Sequence, residues 1–98
     1  FMKIFDKAKW HIDAGEDVSQ VINRMKVIFK FLDEKDMLTD EGKEILEIGI
    51  DSSVSLNEKM VTKKGYVFLD KYYDKVIGFQ FQEMALELKK LYANFKYV

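Results

Sequence analysis

The stretch VTKKGYVFLDKYYDKVI, residues 61–77, is the most aromatic and most clearly helical run of the chain. Thr62 is a good N-cap, because its hydroxyl can accept a hydrogen bond from a free N–H group of the first turn. The large apolar side chains fall on one half of such a helix, opposite the charged ones: Tyr66, Phe68, Leu69, Tyr72, Tyr73, Val76 and Ile77. Burying a side chain of this size contributes about 2 kcal/mol, so we expect the other segments to cover this face.

Two helices are predicted before residue 35. Residues 3–14 predict a short helix that stops at Gly15. Residues 17–33 predict a longer helix, with Asp17 at a capping-box-like start and apolar residues at three- and four-residue steps.

A third helix is predicted to begin at Thr39, with acids in its first turn where the helix dipole favours them. Gly42 and Gly49 would lie on its apolar side, where they allow close approach of a neighbouring helix, although Gly49 could simply end the helix. Residues 51–61 predict a connector with a short extended piece or one helical turn.

The apolar stripe resumes in a last helix after Gly78. If the helix is carried through Gly78, the apolar face shifts by roughly 100°, which favours a break or kink there. By its alternation, the run VIGFQFQ at residues 76–82 could instead be a strand.

Composition favours one domain. With 98 residues, of which 48% are hydrophobic and 34% charged, the chain can bury one core but not two. The absence of proline argues against a linker.

The predicted fold is all-α, a compact irregular bundle of four or five helices over residues 1–98, with a short extended connector around 52–61 as a variant. Phe1 before Met2 is interpreted as a cloning remnant. We find no apolar run of about 20 residues and no leader, so we expect a cytoplasmic protein without membrane contact.

The sequence offers few groups for catalysis. The absence of cysteine excludes disulfides and thiolate sites. The single histidine, His11, lacks a partner, since Asp13 is too close in sequence to face it on a helix, and we interpret it as a partly covered structural residue. The carboxylate pairs at i,i+4 lack the histidines of a di-metal bundle and are interpreted as solvated helix faces: Asp40/Glu44, Asp70/Asp74 and Glu83/Glu87. We therefore expect neither enzymatic activity nor a cofactor.

Two surfaces are candidates for interaction. The first is an acidic stripe on the third helix, whose carboxylates lie within about 60° of one another: Asp40, Glu44, Glu47 and Asp51, with Asp36 and Glu41 at its margin. It could dock on a basic protein, or be an ordinary solvated face. The second is a narrow apolar stripe of the last helix, formed by Phe79, Leu86, Ala93 and Tyr97. It is either packed inside the bundle or covered by a second copy, so a homodimer is possible.

One phrase occurs twice. Leu38-Thr39-x-x-Gly42 is echoed by Val61-Thr62-x-x-Gly65, and apolar residues follow at the same spacing. Both could be helix starts that obey the same capping chemistry, or copies of a duplicated helical unit. Over ten residues the phrase resembles the helix that follows the wing in winged-helix DNA-binding domains.

The leading functional hypothesis is a small non-enzymatic protein-interaction module. It would be a bacterial immunity or inhibitor protein that neutralises a basic toxin or nuclease through the acidic helix. The alternative is a winged-helix-like transcriptional regulator that binds DNA as a dimer. With a pI near 5.9, the basic character of a DNA-binding domain is missing, so a nucleic-acid partner is the weaker expectation.

Overall fold

The structure is a computed structural model that describes residues 1–79 and 81–97, except for the side chain of Phe81. These residues form five α-helices and a two-stranded antiparallel sheet. In chain order the elements are β1 (Ile4–Lys7), α1 (Ala8–Asp13), α2 (Val18–Glu34), α3 (Asp40–Ile48), β2 (Ser55–Asn57), a 3-10 turn (Glu58–Met60), α4 (Lys63–Val76) and α5 (Phe81–Ala93). The prediction of a compact, mostly helical fold is confirmed, but the fold is not purely helical because of the small sheet.

Three of the predicted helix starts are confirmed by their capping bonds. The side chain of Asp17 accepts a hydrogen bond from the N–H of Gln20 at the start of α2. Thr39 and Thr62 accept bonds in the same way at the starts of α3 and α4. Helix α3 ends at Gly49, whose φ of 112° is easily adopted only by glycine, so this residue is a helix stop.

The prediction of a helix over residues 3–14 is wrong in its first half. Residues 4–7 form β1, which pairs with β2 so that Ile4 lies opposite Asn57 and Lys7 opposite Ser55. Helix α1 begins only at Ala8, whose N–H donates to the carbonyl of Val54 at 3.2 Å. The strand forms because its backbone finds partners far along the chain, which overrides a weak local helical pattern.

The apolar face of helix α4 is buried in the core, as expected. Its buried side chains are Phe68, Leu69, Tyr72, Tyr73 and Val76. They belong to one buried hydrophobic cluster with residues of α2 and α5, including Phe29, Leu32, Met84 and Leu88. The ring of Phe68 is surrounded by four aromatic rings with centroids 5.2–5.9 Å away, an arrangement that adds to area burial.

The expected break at Gly78 is present. Helix α4 ends at Val76, a turn follows at residues 77–79, and α5 begins at Phe81. No strand is assigned to the described residues of the run 76–82, and Gln80 lies outside the description.

The two copies of the repeated phrase lie side by side. Leu38 and Val61 form an antiparallel bridge, in which Thr39 N–H donates to the carbonyl of Met60 at 3.0 Å. Thr62 N–H donates to the carbonyl of Met37 at 2.9 Å in return. Since an antiparallel pair is symmetric about a local two-fold axis, the starts of α3 and α4 are related by an approximate two-fold rotation.

Glycine is required at both phrases because the opposing chain passes very close. A Cβ at Gly42 would lie 2.3 Å from the carbonyl oxygen of Met60, and a Cβ at Gly65 would lie 2.7 Å from that of Met37. The close approach at Gly42 therefore comes from the backbone of the connector and not from a neighbouring helix.

Candidate functional site

All six carboxylates of the predicted acidic stripe are exposed. Four lie on α3, Asp36 lies in the turn before it, and Asp51 follows it. In residues 1–79 and 81–97, none of these six side chains is in an ion pair. Asp51 accepts hydrogen bonds from the hydroxyl and N–H of Ser53, at 2.6 and 2.8 Å, and these bonds lower the pKa of its carboxyl group. The stripe is thus a set of charged groups that the fold leaves available to solvent.

A large apolar side chain stands within the acidic stripe. Ile48 is 75% exposed, and at 100° per residue it falls between Glu41 and Glu44 around the axis of α3. Such exposure is unusual for isoleucine, which is among the most often buried residue types. The end of α3 therefore presents an apolar group surrounded by negative charge.

Beside Ile48 lies an open groove of about 270 Å³. Its apolar lining comes from the end of α3 and from the connector to α4: Ile45, Ile48, Ile50, Val54 and Met60. Asp51 and Ser53 stand at its polar margin. An apolar centre with a polar rim is the usual anatomy of a protein interface. We call Ile48, its groove and the carboxylates of α3 the α3 surface.

The residues predicted for self-association do not share one helical stripe. Phe79 lies in the turn before α5 and packs partly buried against the core. Leu86 is on α5 and 57% exposed, whereas Tyr97, 41% exposed, lies beyond the end of the helix at Ala93. The predicted stripe is wrong in this respect, because the chain leaves the helix at both ends.

A buried charge cluster was missed by the sequence reasoning. Asp6 of β1 is 2% exposed. It accepts a hydrogen bond from the hydroxyl of Tyr73 on α4, and another from the N–H of Lys7 at 2.8 Å. The Nε2 atom of His11 lies 2.8 Å from its Oδ1. A carboxylate removed from water in this way depends on these partners.

His11 lies between two carboxylates. Its Nδ1 atom is 2.7 Å from Glu16 Oε2, and the other oxygen of Glu16 accepts from Arg24 Nη2 at 2.5 Å. Burial of the imidazole opposes its charging, but the bonds and charges of Asp6 and Glu16 outweigh burial and raise the pKa of His11 above 6.5. Some desolvation acts against charging Glu16, yet His11 and Arg24 lower its pKa. Burial, followed by the charge of Asp6, raises the pKa of Tyr73 well above 10.

The geometry of the cluster supports the structural interpretation of His11. Both ring nitrogens lie within hydrogen-bond distance of carboxylate oxygens of the same chain. The adjoining cavity, lined by Asp6, His11, Arg24 and Tyr73 among others, measures about 10 Å³, which is space for about one water molecule. The sequence signal was weak, because the partners stand five residues before and after His11.

Two other properties bear on function. Among the described residues, no group of three or more histidine or acidic side chains is placed to hold a metal ion. Nor is any described helix both long and apolar enough to span a bilayer.

Comparison of the chain with protein families, curated proteins and solved structures finds no match.

Proposed function

We propose that this protein is a small interaction module whose α3 surface binds a basic protein, in the manner of an immunity or inhibitor protein. The observation that supports this proposal is the exposed Ile48 beside an apolar groove and among carboxylates without ion-pair partners in the described chain. Acidic residues alone would fit an ordinary solvated face. The apolar group in their midst is what favours a binding surface.

The two parts of the surface have different physical roles. The carboxylates raise the association rate with a basic partner and select against acidic ones. Ile48 and the groove supply apolar area, from which most of the affinity of an interface arises. The fitting partner presents a large apolar side chain with lysine or arginine residues around it.

The first experiment is a tagged pull-down from the native host, with mass spectrometry and light scattering on the eluate. The proposal expects one stoichiometric basic partner. The affinity for that partner is then measured for the double variant Glu44→Lys/Glu47→Lys and for Ile48→Ser. We expect each change to weaken binding at least about tenfold, because charge reversal converts attraction into repulsion and serine removes the apolar contact.

The matched control is Asp74→Lys/Glu83→Lys, which changes the net charge equally at exposed positions away from α3. It should retain the affinity of the wild type to within about twofold, and all variants should keep its melting temperature within a few degrees. Unchanged affinity in the Glu44/Glu47 double variant, or equal loss in the control, would rule out the α3 surface.

The alternative is a winged-helix-like regulator that binds DNA as a dimer, and the exposed lysines of α4, such as Lys63, Lys71 and Lys75, are the feature that favours it. It is the weaker proposal, because each copy of the repeated phrase pairs with the other copy and not with a β-hairpin. It predicts a dimer that binds duplex DNA above background at low salt, with affinity falling as salt rises. No binding at low salt would remove it.

A further inference from the structure

The buried cluster around His11 joins the N-terminal segment to α2 and α4, in addition to the pairing of β1 with β2 and the bonds between Lys3 and Glu58. Asp6 comes from β1 and His11 from α1, and Glu16 lies in the connector that follows. Arg24 belongs to α2 and Tyr73 to α4. Through these side chains the N-terminal unit, residues 3–16, is fastened to the helical body of the protein.

The number of bonds in the cluster depends on one proton. A protonated imidazole has two N–H donors, whereas a neutral one has a single donor and a single acceptor. Here both ring nitrogens face carboxylate oxygens, at 2.7 and 2.8 Å. When His11 loses its proton, one ring nitrogen carries a lone pair that faces a carboxylate oxygen at hydrogen-bond distance. The hydrogen bond between these two atoms is then lost, and they repel each other.

The proton of His11 is the one in this cluster that we expect to be lost near neutral pH. The ionisable groups that face His11 are Asp6, Glu16, Arg24 and Tyr73. The rest of the adjoining cavity is lined by apolar residues of α2, of α5 and of the turn between α4 and α5. The pKa of Glu16 is lowered and that of Tyr73 is raised well above 10, so neither group titrates near neutral pH.

We propose that this cluster is a proton-controlled latch, which holds residues 3–16 closed on α2 and α4 while His11 is protonated and lets them open more often when the proton is lost. Release opens the pairing of β1 with β2 and the bond from Ala8 N–H to Val54. The rest of the core stays folded. The inference concerns local opening and does not depend on the proposed function.

The direction of the pH effect follows from the charge of His11 in the folded state. Because its pKa is raised, His11 is protonated and the latch is closed at pH values between the titration of Glu16 and the ordinary histidine value of 6.5, and the latch opens as the pH rises through the higher folded value. Loss of a hydrogen bond to a charged group corresponds to an increase in local opening of about tenfold or more.

The test uses the single histidine and a ratio of exchange rates. One-dimensional NMR follows the His11 Cε1–H resonance, which is the only histidine signal of the chain. Hydrogen–deuterium exchange between pH 5.5 and 9 compares residues 3–16 with α2 and α4 in the same sample, so that the intrinsic pH dependence of exchange cancels. We expect the exchange rate of residues 3–16, relative to that of α2 and α4, to rise about tenfold as the pH increases, with the same midpoint as the NMR titration of His11. A constant ratio would overturn the proposal.

Three variants separate a latch from a merely structural cluster. His11→Gln cannot titrate, so its exchange ratio should be high and independent of pH. Glu16→Gln removes one carboxylate and should shift the NMR midpoint and the exchange midpoint together to lower pH. Asp13→Asn, the matched loss of an acid on the same unit, should move neither. If His11→Gln does not fold, the comparison of Glu16→Gln with Asp13→Asn decides, and equal midpoints in these two would refute the latch.

Discussion

Replacement of Gly42 by alanine tests the reciprocal contact between the starts of α3 and α4. In an ordinary helix the change from glycine to alanine gains about 1 kcal/mol. Here the added Cβ would lie 2.3 Å from the carbonyl oxygen of Met60, which is a backbone atom and cannot rotate away. That same oxygen accepts the N–H of Thr39 at 3.0 Å, so moving it also weakens a bond that holds the two helix starts together.

These terms give the size of the expected effect. Overpacking costs about 1–3 kcal/mol and the weakened hydrogen bond about 1 kcal/mol, against the gain in helix propensity. Because a contact this short falls at the upper end of overpacking, we expect Gly42→Ala to lose about 2–3 kcal/mol of unfolding free energy. For a domain of this size the melting temperature would fall by about 10–20 °C.

Two other glycines provide an internal scale for thermal and urea denaturation. At Gly65 the Cβ would lie 2.7 Å from the carbonyl of Met37, so Gly65→Ala should be destabilising by less than Gly42→Ala. At Gly78 nothing lies within 4 Å, so alanine there should be neutral or slightly stabilising. If Gly42→Ala were as stable as the wild type, or if Gly78→Ala were the most damaging change, the reciprocal contact would be refuted.

Two further predictions concern a cap and a carboxylate. Thr39 caps α3 and also donates its hydroxyl to the carbonyl of Lys59 at 2.6 Å, whereas Thr62 only caps α4 among the described bonds. Urea denaturation should therefore show that Thr39→Ala lowers the free energy of unfolding by about 2 kcal/mol and Thr62→Ala by about 1 kcal/mol. Equal losses would contradict the extra bond. Because the pKa of Glu16 is lowered from 4.5, its charge stabilises the fold above pH 4.5, and this contribution is lost as the pH falls through the folded pKa. The difference in unfolding free energy between wild type and Glu16→Gln should therefore shrink from pH 5.5 to pH 3. A constant difference would show that the carboxylate charge does not matter.

The helix starts could be predicted because capping is a local interaction. The bonds of Asp17, Thr39 and Thr62 each reach an N–H only three residues further on, so the residue type and its spacing carry the whole signal. The apolar face of α4 was predictable for the same reason, since its periodicity is independent of what covers it.

The partners of His11 could not be predicted, because they depend on a change of secondary structure. If residues 3–14 were one helix, Asp6 would point away from His11 at a separation of five residues. The strand ends at Lys7 and the helix begins at Ala8, and this change of direction brings Asp6 back onto the imidazole. The strand itself exists only because β2 pairs with it, so one non-local contact hid both the element and the cluster.

The α3 surface was predictable in part. Helical spacing is sufficient to place the carboxylates on one exposed face. The groove beside Ile48 is also lined by Ile50, Val54 and Met60. Met60 is held by the pairing of residues 37–39 with 60–62, and Val54 accepts a hydrogen bond from the N–H of Ala8. The feature that makes the acidic face a binding candidate therefore arises from tertiary structure.

That pairing also explains why the chain repeats a phrase. Capping alone calls for a threonine at each helix start but places no demand for glycine three residues later. An antiparallel bridge with a local two-fold axis imposes the same constraints on both of its strands. Each strand needs a residue whose carbonyl accepts a hydrogen bond from the threonine N–H of the opposite strand, and a capping residue after it. Each also needs a glycine, because the opposite carbonyl lies too close for a Cβ atom. Met37 and Met60, which supply those carbonyls, are identical and extend the match by one position beyond the Leu/Val-Thr-x-x-Gly core. The symmetry of the contact therefore accounts for the methionine, threonine and glycine positions without a duplicated unit, whereas the matching apolar residues at 45–46 and 68–69 follow from helical periodicity.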